Sequence, residues 1–114
     1  MQNLSNMLFI DRYPKIDLHG YTAALASLAT KDFIQDNLKL KNEIIVIVHG
    51  KGTGVLKNAV HNTLKQHRKV LEYTTYYNNS GCTVVRLNVW HSLEYMIYYF
   101  YQQRDTKGMS NIGF

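Results

Sequence analysis

Residues 44–57 read Ile-Ile-Val-Ile-Val-His-Gly-Lys-Gly-Thr-Gly-Val-Leu-Lys. The five leading residues are apolar on both faces of any strand they form, as in central strands of α/β sheets, which are covered on both sides. That strand empties into a loop in which Gly50, Gly52 and Gly54 alternate with Lys51 and Thr53. Glycines at this spacing let backbone N–H groups come close to an anion, and His49 at the strand end can move a proton. The combination suits a phosphate.

Downstream of the loop, a helix is predicted over 54–67. Leu56, Ala59, Val60, Thr63 and Leu64 form its apolar stripe, and Lys57, His61, Lys65 and Arg68 form the opposite one. The period then changes to two, so Val70 to Tyr76 reads as a third strand. Asn78-Asn79-Ser80-Gly81 reads as a turn and Cys82 to Val89 as a fourth strand, closing a hairpin. Upstream, Lys15-Ile16-Asp17-Leu18-His19 alternates as a first strand ended by Gly20, and Thr22 caps a helix over about 22–40. Residues 1–14 form an arm ended by Pro14. Beyond residue 91, Leu93, Met96, Ile97, Phe100 and Tyr101 recur at helical spacing and predict an amphipathic helix, followed by a polar tail from Gln102 to residue 114.

The order β-α-β-α-β-β requires two right-handed crossovers, which lay both helices on one face of the sheet. The fold class is therefore α/β, a two-layer sandwich with a four-stranded mixed sheet and two helices on one face. Ile45 and Ile47 should point to one face and Val46 and Val48 to the other. The second face needs an apolar cover, for which the C-terminal helix is the nearest segment and a partner chain the alternative.

A chain of 114 residues, 46% of them hydrophobic, closes one core as a single domain. Cys82 is the only cysteine, so no internal disulfide forms, and it should pack as a small apolar group. The N-terminal stretch lacks the basic start of an export signal, and no apolar run is long enough to span a bilayer, so a cytoplasmic protein without membrane association is expected. The formal net charge is +5. Lys51, Lys57, Lys65, Arg68 and Lys69 fall between Glu43 and Glu72 with no acidic residue among them, which concentrates the positive excess beside the glycine loop. Such a footprint points to a polyanion, with nucleic acid as the expected partner.

Ile16-Asp17-Leu18-His19-Gly20, the run from His49 to Lys57, and Gly81-Cys82-Thr83-Val84-Val85-Arg86-Leu87, in this order and at these separations, resemble the Smr (small MutS-related) domain family over roughly residues 15–90. Asn79 and Ser80 stand where members of that family often carry glycine. The resemblance implies a compact fold like the C-terminal domain of translation initiation factor three. It also implies endonuclease or nicking activity on DNA in recombination or repair, or on messenger RNA at ribosomes, which makes the ribosome a candidate partner.

The residues themselves support a chemistry of that kind. Asp17, His19 and His49 fall at the C-terminal ends of two neighbouring parallel strands, the edge where ligands gather in open α/β sheets. An unperturbed imidazole titrates near pH ~6.5, so one histidine could take a proton from water or a ribose 2′-OH while the other protonates the leaving oxygen. Asp17 would orient or charge-stabilise one of them. Lys51 and the N–H groups of Gly52 to Gly54 would meet the charge on the phosphate, with Gly50, Lys57, Lys65 and Arg68 extending the binding surface. No cofactor is expected, and a divalent metal on Asp17, His19 and His49 stands as an alternative. The loop is neither a P-loop, since no Gly-Lys-Ser/Thr closes it, nor a dinucleotide fingerprint, since Val55 stands where the third glycine belongs. The remaining alternative is a binding module for nucleic acid or the ribosome without catalysis. Tyr21, Tyr76 and Tyr77 lie where bases could stack, whereas His61, His67 and His91 are expected to be structural or surface residues. Oligomeric state is left open.

Overall fold

A computed structural model of the chain describes residues 10–90 and 92–107. The expectations for residues 1–9, for His91 and for the tail past residue 107 lie outside the described residues. A 3-10 turn at Ile10–Arg12 is followed by β1 (Lys15–Asp17), α1 (Ala23–Lys39), β2 (Ile44–Val48), α2 (Val55–Gln66), β3 (Val70–Tyr76), β4 (Asn79–Leu87) and α3 (Ser92–Lys107). The strands form one mixed sheet in the order β1-β2-β4-β3. β1 runs parallel to β2, and β4 is antiparallel to both its neighbours. The expected α/β fold is the one observed.

Local chemistry accounts for the boundaries that matter to the site. Thr22, in extended geometry, caps α1 by accepting the Leu25 N–H through its hydroxyl at 3.2 Å. Leu18 continues the β1–β2 ladder by donating its N–H to the Val48 carbonyl at 2.8 Å, so the two strand ends stay together. The hairpin is tighter than its sequence suggests. Tyr76 pairs with Asn79, so the chain reverses over Tyr77 and Asn78 alone, and β4 occupies Asn79–Leu87 rather than 82–89. The cause is Asn79, whose side-chain carbonyl accepts the Gly81 N–H at 2.9 Å and organises the start of the strand.

Both faces of the sheet are apolar. Ile45, Ile47, Val85 and Leu87 pack with Leu18, Ile34, Val60 and Leu64 between sheet and helices. Ile44, Val46, Cys82, Val84 and Tyr76 form a second cluster on the far face. Cys82 is 8% exposed and packs as the apolar group expected.

The cover over that far face is not the one expected. Ile10 and Tyr13 pack against it, folded back by the 3-10 turn and held where Val46 donates its N–H to the Pro14 carbonyl at 2.9 Å. α3 does form, and it continues past Gln102 to Lys107 instead of yielding to a tail. It attaches to the body by Tyr98 stacked on Trp90, with ring centroids 5.4 Å apart, and by an ion pair of Glu94 with Lys41 at 3.0 Å. Leu93, Met96, Ile97, Phe100 and Tyr101 stay exposed. The 3-10 turn covers the far face because Pro14, pairing with Val46 just ahead of β1, sets the chain down beside it. No helix among the described residues is long and apolar enough to cross a membrane.

Candidate active site

The C-terminal ends of β1 and β2 open onto a cleft of about 480 Å³ lined by Asp17, His19, Gly20, Val48, His49, Gly50, Lys51, Gly52 and Leu56. Adjoining it, a pocket of about 180 Å³ is formed by His49, Gly50, Gly52, Thr53, Gly54 and the first residues of α2, Lys57 included. The four side chains expected at a reacting phosphate therefore border one concavity, with the glycine loop as its wall.

Their presentation differs. Asp17, His19 and Lys51 are exposed. Asp17 accepts the backbone N–H of His19 through Oδ1 at 2.9 Å, so it fixes the turn that carries His19 rather than orienting either imidazole. Gly20 follows at φ +82°, a backbone that only glycine adopts freely, and the turn closes where Tyr21 donates its N–H to the Leu18 carbonyl.

His49 is the main departure from expectation, because only 5% of it is exposed. Continuing the alternation of Ile45 and Ile47, it turns toward the helix side of the sheet. There its Nδ1 lies 2.9 Å from the Gly50 carbonyl and its Nε2 lies 2.7 Å from Thr83 Oγ1. Both ring nitrogens are engaged inside the protein, so the imidazole is not free to meet a substrate as the sequence suggested. Burial holds its pKa below the ordinary 6.5, and the Lys57 charge adds to that, against an opposing effect of the Gly50 carbonyl.

The loop is tied to β4 from below. The Gly81 carbonyl accepts the N–H groups of both His49, at 2.9 Å, and Gly50, at 3.0 Å. Gly50 and Gly54 have φ of +82° and +88°. As N-cap of α2, Gly54 supplies no side-chain hydrogen bond, so the first-turn N–H groups lack a protein cap there. This is the arrangement in which a helix start receives an anion.

The binding residues predicted on α2 separate. Lys57 borders the loop pocket, and Lys65 is exposed farther along the helix. Arg68 lies beyond the helix end, in a second pocket with Lys39, Lys41, Lys69 and Trp90. His61 leaves the stripe altogether. Its Nε2 lies 2.8 Å from Thr83 Oγ1, and its ring meets His49 edge-on with centroids 5.9 Å apart. Neither His61 nor Thr83 stood out as a site residue in the sequence, because helical spacing placed His61 on the basic stripe and Thr83 read as one more residue of the fourth strand. His67 accepts the Lys69 N–H through Nδ1, a local turn contact. Of the tyrosines, Tyr76 is 6% exposed and belongs to the far-face core, while Tyr21 and Tyr77 are exposed. Among the described residues, no three histidine, cysteine or acidic side chains are placed to share a metal ion.

The family model described as Smr domain matches residues 16–88. Over 59 residues the chain is 37% identical to Endonuclease MutS2 of Staphylococcus saprophyticus, covering 52% of this chain and 8% of that protein. Over 55 residues it is 42% identical to Ribosome rescue factor SmrB of a Shewanella species, covering 48% of this chain and 31% of that protein. The crystal structure of the Smr domain of Thermus thermophilus MutS2 superposes with a TM-score of 0.63 at 30% identity, over 65% of this chain and 96% of that one. YdaL, a stand-alone small MutS-related protein from Escherichia coli, superposes with a TM-score of 0.62 at 24% identity over 66% of each chain, a likeness of fold. The chain thus corresponds to a small part of the MutS2 relatives and about a third of SmrB.

Proposed function

The chain belongs to the Smr domain family, and from that premise we propose that it is an endonuclease cleaving phosphodiester bonds of nucleic acid, RNA or DNA, in the cleft beside the glycine loop. The observation that carries this reading is the gathering of exposed Asp17, His19 and Lys51 around one cleft with the uncapped start of α2. Lys51 and the loop and first-turn N–H groups receive the phosphate and offset the charge that grows on it during cleavage. His19, exposed on a turn fixed by Asp17, takes the proton from the attacking water or 2′-OH. His49 holds the loop from behind. A divalent ion bound together with the substrate remains compatible with Asp17 and His19 as oxygen and nitrogen donors.

The test uses labelled single-stranded RNA, duplex DNA and branched DNA, each with and without chelator. Cleavage of at least one substrate is expected, and His19→Ala should lower it by ~10²–10⁴ with binding nearly intact. A cyclic phosphate end would mark attack by the 2′-OH. Cleavage that survives His19→Ala undiminished would overturn the assignment.

One observation favours a second reading. Because both His49 nitrogens are engaged internally, the cleft exposes a single imidazole, which is enough for phosphate binding without catalysis. A binding module for nucleic acid or the ribosome would use the same loop and the same cations. It would retain oligonucleotides without cutting any of the three substrates.

A further inference from the structure

We propose that Thr83 and His61 are positioning residues that hold the His49 ring in the one orientation in which its Nδ1–H reaches the Gly50 carbonyl, and thereby hold the peptide of Gly50, and with it the glycine loop, in its anion-receiving form. The proposal rests on reading that loop as the phosphate site.

The proton arrangement follows from what each group can do. A carbonyl oxygen only accepts, so the ring nitrogen 2.9 Å from the Gly50 carbonyl, Nδ1, carries a hydrogen. Burial favours the neutral ring, which leaves Nε2 bare and able only to accept. The Thr83 hydroxyl, 2.7 Å away, therefore donates to it. With its hydrogen committed, Thr83 Oγ1 accepts from His61 Nε2 at 2.8 Å, so His61 carries its hydrogen on Nε2. With both rings neutral, this is the one arrangement in which every contact has a donor and an acceptor. It imposes on His49 the Nδ1–H form, whereas a free neutral histidine prefers Nε2–H.

The consequence reaches the loop through Gly50. Its carbonyl is held by His49 and its N–H by the Gly81 carbonyl, so the residue is clamped on both sides at φ +82°. In a trans peptide the C=O and the following N–H point in opposite directions. Drawing the Gly50 carbonyl inward to His49 thus turns the Lys51 N–H outward, on the exposed side of the loop. His61 is itself held from the other side by Tyr73 of β3, with ring centroids 5.0 Å apart. The chain His61–Thr83–His49–Gly50 links α2, β4 and the end of β2 to one peptide plane.

The test combines histidine-labelled NMR of the full chain at neutral pH with binding of a fluorescent single-stranded oligonucleotide. In the parent protein, His49 should show the Nδ1–H tautomer. Thr83→Val keeps the shape but leaves Nε2 without its donor, so the His49 ring signals should shift and broaden as the ring loses its fixed orientation, with affinity lowered about tenfold, as expected for one lost buried hydrogen bond. Thr83→Ser should restore both readouts. His61→Gln, at a half-buried position and still able to donate to Thr83, should retain the parental His49 signals, while His61→Leu, which frees the Thr83 hydroxyl to turn away from Nε2, should shift and broaden them; these two variants decide the matter should Thr83→Val not fold. An Nε2–H tautomer in the parent, or Thr83→Val and His61→Leu spectra matching the parent, would overturn the proposal even where cleavage is intact. Absence of oligonucleotide binding in every variant would instead strike the phosphate reading, with the His49 ring signals still reporting on the network.

Discussion

Gly50 lies against Gly81 so closely that a β-carbon on Gly81 would stand 3.2 Å from both the Cα and the carbonyl carbon of Gly50. The neighbour in question is backbone held by two hydrogen bonds to the Gly81 carbonyl, so it has little room to give. Gly81→Ala should therefore push the loop outward at a cost of about 1–3 kcal/mol, the usual range for overpacking. Thermal unfolding would register that cost, and oligonucleotide affinity should fall with it. An alanine variant with parental melting temperature and affinity would mean the loop and β4 are not mechanically joined.

The cations expected along the nucleic-acid track differ in reach. Lys51 and Lys57 border the loop, and α2, with 12 residues, carries the line on for about 18 Å toward Lys65 and Arg68. Were four or five of these charges to meet phosphates of one strand, log K should fall with log salt at a slope of roughly −3. Lys57→Gln and Arg68→Gln should each flatten the slope by about 0.7. Titration by anisotropy across salt concentrations checks this, and a nearly flat dependence in the parent would remove the track.

Acid should destabilise the fold through its partly buried histidines. His49, His61 and His67 all have pKa values lowered from the ordinary 6.5, burial being the largest cause in each. The folded state thus prefers the neutral rings. In the unfolded chain the same groups protonate near 6.5, so between that value and the lower folded pKa the unfolded state binds more protons. Their contribution is present above pH 6.5 and is lost as pH falls through the folded values. Melting temperature should decline steadily from pH 7.5 to 5.5, and less so in His61→Gln. A profile that is flat or rises toward acid would contradict the burial of these rings.

The sheet, its two helices and the glycine loop were legible because each rests on local signals. β2 announces itself by five apolar residues, α1 by Thr22, and the loop by alternating glycines at a strand end. The far-face cover was not legible, since Ile10 and Tyr13 show no periodicity and reach that face only because Pro14 pairs with Val46 of β2. At the site, sequence brought Asp17, His19, His49 and Lys51 to one cleft and expected both imidazoles to face the substrate, leaving open only which was acid and which base. That His49 turns away depends on Thr83, 34 residues from it in the chain, whose hydroxyl draws the ring inward. His61 looked like one member of a basic stripe because helical spacing says nothing of the strand packed beside it.

α3 offers a last prediction. It follows the end of β4 that lies beside the start of β2, since Arg86 pairs with Ile44, whereas the cleft opens at the other end, where Cys82 pairs with Val48. Its described anchors are the Tyr98–Trp90 stack and the Glu94–Lys41 ion pair, which together are worth about 1–2 kcal/mol. Ending the chain after residue 92 should thus lower the melting temperature, by about 4–15 °C from these two contacts alone for a domain of this size. Because the truncation also removes the exposed Leu93, Met96, Ile97, Phe100 and Tyr101, it should reduce self-association in sedimentation measurements. Cleavage and oligonucleotide affinity should be unchanged, because none of the described residues lining the cleft belongs to α3. Loss of the cooperative transition on truncation would mean that α3 seals the core after all.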